Sequence, residues 1–156
     1  MKSIIRTTIT CLVLFVSLTN AWSQNLSDER RKAILEFSLT MDRANHLIPA
    51  MVDMTKYVLS LPDYAERARK SGQMTLSEQV AQVEKDPKAM EILKRNSLTA
   101  RDYLVGIVAL RMSILAAGGA SSPNIVASSA NVAFAKANMA TLKPKMDAAD
   151  GAGAQK

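Results

Sequence analysis

The chain is 156 residues long, 48% apolar but only 4% aromatic, and carries a net charge of +6. That length suffices for one domain with its own core. Its basic residues are scattered, at Arg30, Arg31, Lys32, Arg67, Arg69, Lys70, Lys94, Arg95, Lys143 and Lys145, with Asp28, Glu29, Glu66 and Glu91 beside most of them. A nucleic-acid surface gathers its basic residues on one face, with aromatic or fold signatures beside them, so nucleic acid is excluded as an expected partner.

Lys2 and Arg6 precede an apolar run through Ile9, Leu12, Val13, Leu14, Phe15, Val16 and Leu18. The run is shorter than the ~20 apolar residues that a membrane-spanning helix needs. Thr19 and Asn20 end it, and small residues follow at Ala21 and Ser23. Positive, apolar and small, in that order, is the pattern of a secretory signal. Residues 1–23 are therefore expected to be a signal peptide cleaved after Ser23, with cleavage after Ala21 as the alternative. The mature chain is expected in the periplasm or outside the cell. Cys11, the single cysteine, lies inside the apolar run with no lipobox before it and should leave with the signal. Disulfides, thiolate metal sites and thiol catalysis are then excluded. No later segment is apolar for the length of a span, so no integral membrane span is expected after processing.

Ser27 reads as an N-cap, with Asp28 and Glu29 at the positive end of the helix dipole. Ile34, Phe37, Met41, Ala44, Ile48, Met51 and Val58 then continue a 3-4 spacing, which predicts one long amphipathic helix. Pro49 lies inside it and predicts a kink. Leu61-Pro62-Asp63 ends this helix and starts a short one to about Lys70. Thr75 and Glu78 have the spacing of a capping box. Asp86-Pro87 is a cap followed by proline at the first helical position, and Asn96 is the stop. Thr99 with Asp102 opens a helix that is apolar nearly all round, which predicts a central position, and Gly118-Gly119 ends it. Ser122-Pro123 predicts the start of a last, alanine-rich helix that packs until Pro144. The fold expected is all-α: an antiparallel helical bundle of about four main helices over residues 24–146, with a disordered tail at 147–156.

The chemistry available is sparse. His46 is the only histidine, with Asp42 one turn before it and Asp53 two turns after it. Imidazole and carboxylates suit a divalent cation, although a solvated polar face has the same pattern. Met51 and Met54, spaced to point the same way near His46, supply soft thioethers, so His46, Met51 and Met54 form a candidate copper(I) set. Core filling is the competing role for these methionines. Covalent haem attachment is excluded because Cys-x-x-Cys-His is absent. No nucleophile elbow, phosphate loop or His-Glu-x-x-His occurs, and any Ser-His-Asp set would have to use His46. No catalytic residue and no cofactor is expected. An enzyme reading would need a deep pocket joining Arg111, Tyr103 and an acid.

Three stretches, Lys85-Asp86-Pro87, Leu98-Thr99-Ala100-Arg101-Asp102-Tyr103 and Ala130-Asn131-Val132-Ala133-Phe134, resemble segments of exported helical bacterial proteins that carry no assigned activity. The resemblance implies export and a helical fold, and brings no functional residue with it. The function expected is that of an exported, non-catalytic interaction protein of the bacterial envelope, binding another protein or an envelope component. The alternative is a periplasmic small-ligand or copper carrier built on His46 and the nearby methionines.

Overall fold

A computed structural model describes residues 26–152; the signal segment expected at residues 1–23 lies outside them. The described residues form eight helices and no strand: α1 (Asp28–Glu36), α2 (Met41–Ser60), α3 (Tyr64–Ser71), α4 (Leu76–Glu84), α5 (Pro87–Arg95), α6 (Ala100–Ala117), α7 (Ser129–Ala137) and α8 (Met139–Ala152). None of these helices is long and apolar enough to cross a membrane.

Local chemistry sets most of the helix starts. The Ser27 hydroxyl accepts from the Arg30 amide at α1, and Thr99 Oγ1 accepts from the Asp102 amide at α6. Both arms of the capping box close at α4: the Glu78 amide donates to Thr75 Oγ1 at 3.2 Å, and the Thr75 amide donates to Glu78 Oε2 at 2.8 Å. These contacts hold the Glu78 carboxyl below its ordinary range, the backbone bond contributing most. At α5, Asp86 Oδ1 accepts from the amides of Lys88 and Ala89, with Pro87 in the first turn, where its missing amide costs nothing.

Asp86 has a second role. Its Oδ2 accepts from the Tyr57 hydroxyl at 2.8 Å, which ties α2 to the start of α5. The bond to Asp86 raises the Tyr57 hydroxyl above its ordinary value, because ionising it would set phenolate against carboxylate. A raised folded value means the contribution is complete below the unfolded value of about 10 and is lost as pH rises through the folded one. Tyr57→Phe is expected to cost about 1 kcal/mol at neutral pH. It should also flatten the loss of stability expected of the wild type above about pH 10. Chemical denaturation of both proteins at neutral and alkaline pH checks this, and parallel pH profiles would refute it.

The core lies around α6, which packs against α1, α2, α4, α5, α7 and α8. The central position expected from its all-round apolar sequence is the one it occupies. Ile34, Leu47, Leu110 and Leu142 are fully buried within one cluster, and Met54, Ile92 and Leu93 lie in a second. Gly106 makes the crossing of α6 with the α1–α2 segment possible: a Cβ there would stand 2.8 Å from Phe37 Cζ and 2.9 Å from both Leu47 methyls.

Several sequence expectations are corrected. The long first helix is two helices, separated at Phe37 to Thr40, and α2 continues as helix through Pro49. Thr40 caps α2 by accepting from the Arg43 amide. The apolar spacing survives the break because α1 and α2 face the same core, so Ile34, Phe37, Ala44, Ile48 and Met51 are all buried. A buried asparagine on α7 fixes the break: Asn131 Oδ1 accepts from the Leu39 amide at 2.9 Å, and its Nδ2 donates to the Phe37 carbonyl at 2.6 Å. Ser122-Pro123 forms a turn, closed by the Ile125 amide on the Ser122 carbonyl, and α7 starts later under a Ser128 cap. Helix α8 passes through Pro144.

The tail expected to be disordered from Asp147 is helical to Ala152. Ala149 is 4% exposed, small enough to seat where a larger residue is not needed. Asp150 Oδ1 meets Arg111 of α6 at 2.5 Å.

Candidate functional site

His46 stands in the second turn of α2 with 40% of its side chain exposed. Its Nε2 lies 3.7 Å from Asp42 Oδ1, too long for a hydrogen bond. Asp53 does not join them, because Arg95 of α5 pairs with it at 2.6 Å. The structure also separates the two methionines. Met51 is in the main core, with the Arg111 guanidinium 3.3 Å from its sulfur, while Met54 packs in the second cluster with Ala89, Ile92 and Leu93. Among the described residues no three His, Cys, Asp or Glu side chains converge as metal ligands do.

His46 instead borders an open depression of about 250 Å³ lined by Phe37, Asp42, Arg43, Ser97, Leu98 and Asp102. A neighbouring depression of about 210 Å³ is lined by Ala33, Glu36, Phe37, Arg43, Arg101, Asp102 and Val105. Phe37, Arg43 and Asp102 belong to both, so the two form one furrow between α1, the first half of α2 and the start of α6.

The shared residues are held in place. The Arg43 guanidinium lies 4.8 Å over the Phe37 ring, a cation–π contact, and its Nη1 donates to the Ser38 carbonyl at 2.9 Å. The break between α1 and α2 supplies that free carbonyl, and the Thr40 cap sets where Arg43 emerges. Asp102 is oriented by Thr99, whose hydroxyl donates to Asp102 Oδ2 at 2.7 Å. None of the ion pairs among the described residues includes Arg43, Arg101 or Asp102.

Ser97, at the rim beside His46, has φ of 55°, the only positive value at a non-glycine position among the described residues. It closes α5 in a Schellman arrangement, the Leu98 amide donating to the Leu93 carbonyl and the Ser97 amide to the Lys94 carbonyl. Glycine is the ordinary occupant, and a serine there carries roughly 1 kcal/mol of strain.

Arg111 and Tyr103, the pair an enzyme reading needs, both stand on α6, near enough for the Arg111 charge to act on the Tyr103 hydroxyl. Arg111 joins α6 to α8 through Asp150, while Tyr103 is packed against both core clusters, and burial pushes its hydroxyl above the ordinary range. Sequence reasoning found His46 and Asp42 but missed Arg43, Ser97, Arg101 and Asp102 as a group. The Thr40 cap was the available signal for Arg43; nothing local announces the others, which chain folding brings together.

No protein-family model, no curated protein and no solved structure matches this chain. The fold itself therefore defines the class: an all-helical protein with an open, charged furrow around Phe37 and Arg43.

Proposed function

We propose that this chain is an exported, non-catalytic interaction protein of the bacterial envelope, which binds another protein or an envelope component. Residues 1–23 are its signal peptide, and the processed chain acts in the periplasm or outside the cell. Helices α2, α6, α7 and α8 serve as the four main members of an antiparallel bundle, which α1 and the short helices α3 to α5 flank.

The observation that supports binding over catalysis is the openness of the furrow. Its charged groups line partly open depressions rather than an enclosed cavity. Preorganised charges gain most where water is excluded, so an open furrow favours recognition of a second surface over transition-state stabilisation.

Native mass spectrometry on the untagged protein recovered from cells tests the reading. The expected result is a mass beginning at Gln24, with a second polypeptide retained. An unprocessed chain would remove export. A processed chain holding copper, haem or an organic molecule would replace this reading with a carrier, and mutagenesis would then go to His46, Met51 and Met54.

A further inference from the structure

We propose that residues 61–74, helix α3 with its two flanking turns, form a strap that opens while the core stays folded, and that the open strap admits a protease cutting after arginine or lysine. Hydrolysis there adds water across the peptide bond after Arg67, Arg69 or Lys70, and leaves a new carboxylate and a new amine. This holds whether or not the chain serves as an interaction protein.

Burial defines the strap. Between Met54 and Leu76 no residue is buried, the longest such run among the described residues. No apolar residue of 61–74 packs on either core cluster. Helix α3 has eight residues, and helices so short are marginal in water without packing. Its principal neighbour is α2. Asp63, at the N-cap position, makes no side-chain capping bond and pairs instead with Arg67, while Glu66 pairs with Lys70. Exposed pairs one turn apart contribute little, and both close within the strap, so neither ties it to the core. Among the described residues, one side chain of another helix holds α3 by a hydrogen bond: Gln79 Nε2 of α4 donates to the Ser71 carbonyl at 2.5 Å.

Both flanks are anchored. Tyr57 bonds Asp86 and Val58 packs on the second cluster, so the end of α2 stays in place. On the other side the capping box starts α4 at Thr75, and Leu76 is 1% exposed. Local opening draws on the least-packed segments and costs less free energy than global unfolding. Where opening and closing are fast relative to cleavage, proteolysis follows the population of the open form. Arg67, Arg69 and Lys70 are exposed and fall together within the strap. The other long connector, residues 118–128, holds no lysine or arginine. A cut in the strap leaves the two pieces joined through the core that α2 and α6 share.

Hydrogen exchange and limited trypsin digestion of the purified protein test this together. The Arg67, Gly72 and Gln73 amides, bonded within the strap, are expected to exchange at least about a hundred-fold faster than amides of central α6. Asn131→Leu, which removes the buried clamp of the first helix break, should speed α6 exchange about tenfold or more and leave the strap rates unchanged. Trypsin should cut first after Arg67, Arg69 or Lys70, and the two pieces should elute together with the helicity of the intact chain. The triple variant Arg67→Gln, Arg69→Gln, Lys70→Gln should prolong survival of the intact chain about tenfold or more, with little change in melting temperature. Strap and α6 amides that exchange at one rate and respond alike to Asn131→Leu overturn the strap. A first cut inside another helix, or pieces that separate and lose their helicity, overturns the entry point.

Discussion

Asn131→Leu is expected to lower stability by about 2–4 kcal/mol, an effect on the order of 10 °C in melting temperature for a domain of this size. Asn131 is 3% exposed, and its amide is the only hydrogen-bond partner found for the Leu39 amide and the Phe37 carbonyl among the described residues. Leucine has a similar branched shape but is larger, so the space stays filled while two backbone groups lose their partners in a dry setting. Each such group costs about 1–3 kcal/mol. Burial of the larger apolar side chain returns only part of this.

Asn131→Asp separates the hydrogen bonds from the packing. Its carboxylate still accepts from the Leu39 amide but turns an oxygen toward the Phe37 carbonyl. The protonated form restores a donor, so the folded protein raises the pKa of this carboxyl. The restored contribution is present below the unfolded value of about 4 and lost as pH rises through the folded one. Measured against the wild type at each pH, the variant should therefore be closer to normal near pH 4 than at pH 7. Thermal melts at the two pH values decide it; a leucine variant as stable as the wild type would remove the role assigned to Asn131.

The second large effect is expected at Gly106. In a helix interior, replacing glycine with alanine gains about 1 kcal/mol from backbone entropy alone. Here the added carbon would stand 2.8–2.9 Å from Phe37 and Leu47, both buried, so overpacking works against that gain. Overpacking costs about 1–3 kcal/mol, so Gly106→Ala should show a small net loss. Gly106→Val adds two further methyls with a weaker helix preference, and should lose about 2–3 kcal/mol. Displacement of Phe37 would also loosen the Arg43 stack, because the ring under that guanidinium is the one the new side chain pushes. Denaturant titration of both variants reads the stability change. A valine variant matching the wild type would mean that Phe37 and Leu47 yield freely, and that the close crossing is not required.

Much of the helical layout was legible because it is written in short-range chemistry. Ser27, Thr75 with Glu78, Asp86-Pro87 and Thr99 each name a helix start using atoms within three residues of themselves. What stayed hidden depended on distant partners. Periodicity records which side of the chain is buried, and it reads the same through a break when both flanking helices face one core. Phe37 to Thr40 is such a break, held by Asn131. In the tail, small residues suggested nothing to pack, yet Ala149 fits a close contact and Asp150 reaches Arg111.

The candidate site divides in the same way. The neighbourhood of His46 and Asp42 follows from helical spacing. Met51 and Met54 lie roughly 60° apart around the helix, close enough to suggest one site. That angle is also wide enough, at the edge of a buried stripe, to send them into different clusters. Arg101, Asp102 and Ser97 reach the furrow through the α5–α6 connection, which no spacing rule along α2 contains.

The clamp on the first helix break also orders events in time. Its two bonds join positions 92 and 94 residues apart, so they close only when α7 has docked. Local helices form in microseconds or less, and contacts across long stretches of chain wait for loop closure. Until α7 arrives, the stripe from Ile34 to Val58 is free to extend as the single helix its spacing encodes. The bend, and with it the wall of the furrow that carries Phe37 and Arg43, is therefore expected among the last features to assemble. A chain caught before that stage would hold its helices without the furrow.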